Sequence, residues 1–173
     1  MRVLEVSFKP IGFVRTQRSD DEVKKSIQGV DGCIEVLEEY VEGLRGLEGF
    51  SHIIVIAYMH KTPPEARKTL VVRPRRLVRF GFKLEELPEV GVFATDSPHR
   101  PNPIAISILE VVKIEHNKVY VKGLDLFNST PILDIKPYTP DRCIDQSELK
   151  TPKWYQEILE KLRQKLGGAV IAI

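Results

Sequence analysis

The sequence predicts a mainly β protein, a small mixed β-barrel core followed by a C-terminal helix. Three observations lead there. Short apolar, β-branched runs recur along the chain with turn residues between them. Only one stretch, near the C-terminus, carries a sustained helical stripe. Strands and helices do not alternate and no G-x-G-x-x-G turn is present, so a doubly wound Rossmann-type sheet is not expected. Many short strands must then cover their own edges by closing on one another.

Taken in order, Pro10–Thr16 alternates Ile11 and Phe13 against Gly12 and Val14, a first strand. Asp21–Ser26 is a single helical turn or a loop. Gly32–Val36 is a second strand, introduced by the turn pair Asp31-Gly32. Ile53–Met59 is a continuous apolar run between His52 and His60, and reads as a strand buried on both faces. Val90–Thr95, Ile104–Ile114 and Lys118–Gly123 extend the pattern, the last two joined by a hairpin turn at residues 115–117, and Pro131–Ile135 adds a short strand. Thr151–Leu166 predicts the helix. Thr151 suits the N-cap, Pro152 the first helical position, and Gly167-Gly168 the stop. Trp154, Ile158, Leu162 and Leu166 form its buried stripe. Ala169–Ile173 reads as a terminal strand or docking segment.

Composition sets limits on function. The 173 residues suit one domain with a small appendage, and 42% hydrophobic with 29% charged residues allow a real core. A net charge of +2 favours no partner class by itself. Cys33 and Cys143 are too few and too far apart for a metal site or a disulfide framework, so two reduced thiols are expected. The start meets a charge at Arg2, and no apolar run approaches the ~20 residues of a membrane span. A cytoplasmic protein without a metal is the expectation.

The distribution of charge says more than its sum. Arg67, Lys68, Arg73, Arg75, Arg76, Arg79 and Lys83 follow one another with no acidic residue between them. Interleaved with Leu77, Val78 and Phe80, they suggest a strand or loop presenting arginines to phosphates, with Arg73, Arg75, Arg76 and Arg79 as RNA-binding candidates. The alternative is a solvated edge balanced by Glu85, Glu86 and Glu89.

Two segments concentrate polar chemistry. In Gly91–Ser107, Ser97, Arg100 and Asn102 each precede a proline, which narrows their backbone freedom and presets them for a small ligand. A second cluster runs from Gly123 through Asp125, Asn128 and Ser129 into Asp134, Lys136 and Tyr138. Asp134 and Lys136 lie two apart in an extended segment, so they share a face and either pair or meet a ligand together.

With Pro10–Thr16, Gly43–His52 and Val72–Arg75, these two clusters resemble the TrmO (TsaA-like) family over roughly residues 8–142. The resemblance implies a non-Rossmann barrel that uses S-adenosyl-L-methionine to methylate N6 of threonylcarbamoyladenosine beside the tRNA anticodon. It also implies a homodimer with the cofactor near its interface, a barrel domain over 1–142, and a helical tail over 143–173 packing on the barrel or the dimer partner. Cofactor contacts carried over from the family fall on Lys24, Lys25, Ser26, His60, Lys61, Phe93, Ala94, Thr95, Asp96, Ser97, Arg100, Asn102, Ile106, Gly123, Leu124, Asp125 and Leu126. Lys136 or an arginine would meet the cofactor carboxylate, and Asp125 or Asp134 its ribose. Catalytic candidates are His60, Asn102, Asp134 and Tyr138, with His99 a further possible proton acceptor. Two other readings stay open: a non-catalytic barrel that binds S-adenosylmethionine or RNA, and a methyltransferase with another small acceptor.

Overall fold

Alternation of inward apolar and outward polar residues closes six of the eight strands into a barrel. The computed structural model describes residues 4–165. Leu166, the Gly167-Gly168 stop and Ala169–Ile173 lie outside the described residues. In chain order the elements are β1 (Gly12–Arg15), α1 (Asp20–Lys25), β2 (Val30–Val36), β3 (His52–Tyr58), β4 (Val71–Val72), β5 (Val90–Gly91), β6 (Ile104–Glu115), β7 (Lys118–Leu124), β8 (Pro131–Pro137) and α2 (Lys153–Lys165). The barrel order is β1-β2-β7-β6-β3-β8, every neighbouring pair antiparallel, and β4 with β5 forms a separate two-stranded ladder. The mainly β barrel with a C-terminal helix is therefore what the sequence predicts.

Contacts divide the chain into two units. One comprises the residues up to Lys61 together with Ile104–Pro140; the other comprises Thr62–Pro103 together with the chain from Asp141 onward. In the first unit, Val14, Ile34, Ile53, Val55, Leu109, Val119, Leu124 and Ile132 point inward and are fully or almost fully buried. Each such side chain contributes about 1.5–3 kcal/mol of transfer free energy. In the second unit, Leu77, Phe82 and Leu87 pack with Ile158 and Leu162 of α2, and Trp154 lies against that cluster. The stripe on α2 is thus a core stripe where it is described.

Several sequence expectations need correction. β3 is buried on one face only: Ile53, Val55 and Ala57 alternate with half-buried His52, Ile54, Ile56 and Tyr58. Its continuous apolar run reflects a barrel interior on one side and a partly covered exterior on the other. Val90–Thr95 is not one strand. Only Val90 and Gly91 find partners, on Val72 and Val71, and the chain then tightens into a 3-10 turn at Val92–Ala94 that leaves Phe93 81% exposed. The arginine-rich stretch is not a strand either. Apart from Val71–Val72 it is two 3-10 turns, Pro64–Lys68 and Arg75–Phe80. Asp21–Ser26 resolves into α1, fixed by a capping box in which Ser19 Oγ accepts from Glu22 N at 3.3 Å and Ser19 N donates to Glu22 Oε2 at 2.8 Å.

Among the described residues no helix is long and apolar enough to cross a membrane, and no three His, Cys, Asp or Glu residues are placed to hold a metal ion. Neither Cys33, which is buried, nor Cys143, which is exposed, forms a disulfide among the described residues.

Candidate functional site

In the first unit, two glycines set the arrangement. Gly29 and Gly123 both have positive φ, at 77° and 80°, and a Cβ on Gly29 would lie 2.2 Å from the Gly123 carbonyl carbon. This close approach lays the α1–β2 loop directly on the end of β7. Lys24, Lys25 and Ser26 therefore adjoin Gly123–Leu126, two of the stretches singled out for the cofactor. Ser26 Oγ donates to Gly29 O at 2.5 Å, which closes the loop on itself.

The same neighbourhood gathers charge around one ring. Lys24 Nζ and Lys61 Nζ lie 5.4 and 5.2 Å from the Phe127 centroid, and Asp20 holds Lys61 in a 2.5 Å ion pair. Exposed Asp125 stands between buried Leu124 and Leu126, and its Oδ1 accepts from the buried Ser107 hydroxyl at 2.6 Å. Leu124 and Leu126 are core side chains, so what they present outward is backbone. A carboxylate braced on one oxygen suits a diol or an amine, and two ammonium groups nearby, Lys24 beside Asp21 at 3.6 Å and Lys61 on Asp20, suit a small carboxylate that takes the place of those partners.

His60 closes β3 in this unit. Its Nδ1 is shut off from solvent with no hydrogen-bond partner among the described residues. Burial and then the neighbouring Lys61 ammonium hold its pKa below the ordinary 6.5, with Asp20 opposing them weakly. Protonation is thus penalised in the folded state. That preference for the neutral ring supports the fold fully above about pH 6.5 and is lost as pH falls through the depressed value. His60→Gln should lose less stability than the parent between about pH 7 and about pH 5, read by denaturant unfolding at both. Parallel losses would show that the ring carries no such penalty.

In the second unit, the Pro-rich loop braces itself. Arg100 Nη2 donates to the carbonyls of Val92 at 2.9 Å and Thr95 at 3.1 Å, while Thr95 Oγ1 donates to Val92 O at 3.1 Å. Ser97 N donates to Thr95 Oγ1 and His99 N to Ser97 Oγ, at 3.3 and 3.2 Å. Arg100 is therefore engaged in holding the loop, whereas Phe93, Ala94, Asp96, His99 and Asn102 are exposed. Arg73 is likewise occupied, bonding to Leu87 O and to Glu89 Oε1. Arg75 and Arg76 are exposed and carry no ion pair among the described residues. Burial, then Arg76 beside it, pushes the Arg79 pKa down, and its guanidinium lies over Phe80.

On β8 the sequence left two possibilities for Asp134 and Lys136. They pair with each other at 2.6 Å on the outer surface, and Asp134 Oδ1 also accepts from Ile135 N. Tyr138 follows, its backbone N–H bonded to His52 O. Sequence reasoning passed over Phe127, Asp20, Ser107 and Gly29. Only α1's cap was signalled, by the Ser19-x-x-Glu22 spacing.

Similarity to known proteins follows the same segments. The profile of the family described as the tRNA-methyltransferase O N-terminal domain matches residues 21–144. A probable S-adenosyl-L-methionine-binding protein of Pyrococcus abyssi is 34% identical over 165 residues, covering 93% of this chain and 82% of its own. A tRNA (adenine(37)-N6)-methyltransferase of Rattus norvegicus is 42% identical over 98 residues, 57% of this chain but only 21% of that longer protein. Among solved structures, one described as the crystal structure of TrmO matches with a TM-score of 0.64 at 25% identity, covering 95% of this chain and 77% of the other.

Proposed function

The chain belongs to the tRNA-methyltransferase O family, and on that premise we propose that it transfers a methyl group from S-adenosyl-L-methionine to N6 of an adenine in tRNA beside the anticodon. The finer substrate we propose is threonylcarbamoyladenosine, and the setting is the cytoplasm, where tRNA is modified. The observation that carries the reading is structural agreement with the family over a barrel that has no Rossmann turn. Such a barrel explains cofactor use without the dinucleotide fingerprint.

The residues present fit the cofactor. The orphaned His60 Nδ1 offers a polar partner, Asp125 a braced acceptor for ribose hydroxyls, and Lys24 with Lys61 a cationic end for the methionine carboxylate. Of the other residues singled out, Lys25, Ser26, Ile106, Gly123, Leu124 and Leu126 belong to the first unit and Phe93, Ala94, Thr95, Asp96, Ser97 and Asn102 to the second, while Lys136 is engaged by Asp134 and Arg100 by its own loop. When bound, the cofactor supplies a methyl group on sulfonium, which leaves as a neutral thioether.

The adenine amine is a weak nucleophile because its lone pair is delocalised into the ring. Positioning therefore supplies most of the acceleration, up to about 7–11 kcal/mol. A group must also take the N6 proton. We assign this to His60, which burial holds neutral. Asp134 is already engaged with Lys136. Arg75, Arg76 and Arg79 are the proposed phosphate contacts.

The test is incubation with methyl-labelled S-adenosylmethionine and bulk tRNA with or without threonylcarbamoyladenosine. Label in the modified tRNA alone is the expected result. Cofactor binding with no label transfer would favour a non-catalytic binding barrel.

A homodimer is part of this reading. β3 and β6 place Ile54 opposite Ile108 and Ile56 opposite Ile106 on the barrel exterior, where Ile106 is 71% and Ile108 52% exposed. An apolar strip of this kind is what a second copy would cover. Ile106→Glu is expected to convert a dimer into a monomer in sedimentation velocity, and an unchanged mass would remove this face from consideration.

A further inference from the structure

The second unit contains a groove that the barrel does not account for and that shares only its Ala94–Ser97 wall with the residues assigned to the cofactor. It is lined by Arg75, Arg76, Thr95, Asp96, Trp154 and Tyr155, among others. Three chemistries meet there. Trp154 and Tyr155, at the start of α2, lie edge to face at 5.6 Å and 82°, giving two aromatic surfaces at right angles. Both are only half-buried, so the core behind Trp154 does not consume them. Arg75 and Arg76 are exposed and without an ion pair among the described residues. Of the carboxylates lining the groove, Glu89 is taken by Arg73, which leaves Asp96 to accept from an amino group.

A ring-binding surface, unpaired guanidinium groups and a single acceptor match the parts of one nucleotide: base face, phosphate and exocyclic amine. A flat phosphate contact alone would not need the aromatic pair. We propose that this groove is an RNA subsite, holding one unstacked nucleotide of the substrate with its base against Trp154 and Tyr155 and its phosphate on Arg75 and Arg76. The inference rests on the tRNA-methyltransferase reading and adds to it a place where the RNA is gripped.

Trp154 is the sole tryptophan, so its emission reports on this groove directly. The full chain is titrated with an anticodon stem–loop RNA, and separately with S-adenosylmethionine. Saturable quenching by RNA is expected. Tyr155→Ala should weaken RNA binding about tenfold or more, the effect of losing one base–aromatic stack. The double variant Arg75→Ala, Arg76→Ala should lower the slope of log affinity against log salt by about 1.4. Cofactor affinity by calorimetry should be unchanged in all of them. RNA binding with Trp154 emission unchanged and Tyr155→Ala at parental affinity overturns the subsite and leaves the methyltransferase reading intact. No RNA binding by the parent overturns both. A Trp154 response to S-adenosylmethionine alone, lost in Tyr155→Ala, assigns the groove to the cofactor and overturns the proposal.

Discussion

Gly29→Ala is expected to destabilise the fold by more than about 4 kcal/mol, enough to leave little folded protein at 37 °C. Two penalties add at this position. The φ of 77° costs an alanine roughly 1–2 kcal/mol, because the left-handed region crowds its Cβ. The larger penalty is contact: that Cβ would sit 2.2 Å from the Gly123 carbonyl carbon and 2.4 Å from its oxygen, both backbone atoms. No side chain can swing aside, so the α1–β2 loop must part from β7. Gly123→Ala provides the internal comparison. Its φ is 80°, yet a Cβ there meets nothing nearer than Gln28 O at 3.7 Å. That variant should lose only roughly 1–2 kcal/mol, the backbone term alone. Thermal unfolding of both variants measures the difference. Equal losses would mean that the glycines are kept for conformation and not for contact.

Asn102→Ala is expected to lower methyl transfer about 10²-fold or more in a protein that still folds and still binds S-adenosylmethionine. Asn102 stands between Pro101 and Pro103, exposed beside a buried Pro103, at the end of a loop whose other polar groups largely bond to one another. Two prolines fix its surroundings, so its amide donor and acceptor are offered with little entropy left to lose. Asn102→Asp keeps an acceptor and loses the donor, and should recover part of the activity if the acceptor is what matters. Labelled transfer, with circular dichroism and cofactor affinity measured on the same samples, separates chemistry from folding. Unchanged turnover would remove the loop from the active site.

The barrel was legible because its cause is local. Alternation in β1, β7 and β8 and the turn at His116 and Asn117 are visible in the string of residues, and the structure places strands there. Residues 75–80 stayed open between strand and loop because a short 3-10 turn has no hydrophobic period of its own, and Leu77 and Phe80 between arginines mimic a strand. α1 was underestimated although its capping box is written in the sequence. The candidate site was less legible, for a different reason. The meeting of Gly29 with Gly123, and of Lys24 and Lys61 with Phe127, joins residues far apart in the chain, and nothing in their local sequence announces it. Asp134 and Lys136 could equally have paired or faced a ligand; only their placement on the outer surface of β8 decided it. Arg100 looked like a ligand contact because of its motif, yet its guanidinium is occupied by the loop's own carbonyls.

The ladder between β3 and β6 has an entropic consequence. Tyr58 pairs with Ile104, so the whole segment between them leaves and rejoins the barrel across a single rung. To the folding barrel that segment is an insertion, a loop of about 45 residues whose closure costs roughly 3 kcal/mol in chain entropy beyond constant terms. Registering β3 on β6 is still cheaper than closing β1 on β8, which brings Gly12 to Ile132 and is the high-contact-order step of the barrel. Because closure entropy grows only logarithmically, doubling the inserted length would add about 0.6 kcal/mol. The barrel is thus a frame whose register tolerates large changes in what is carried between those two strands, which leaves that segment free to diverge with its substrate.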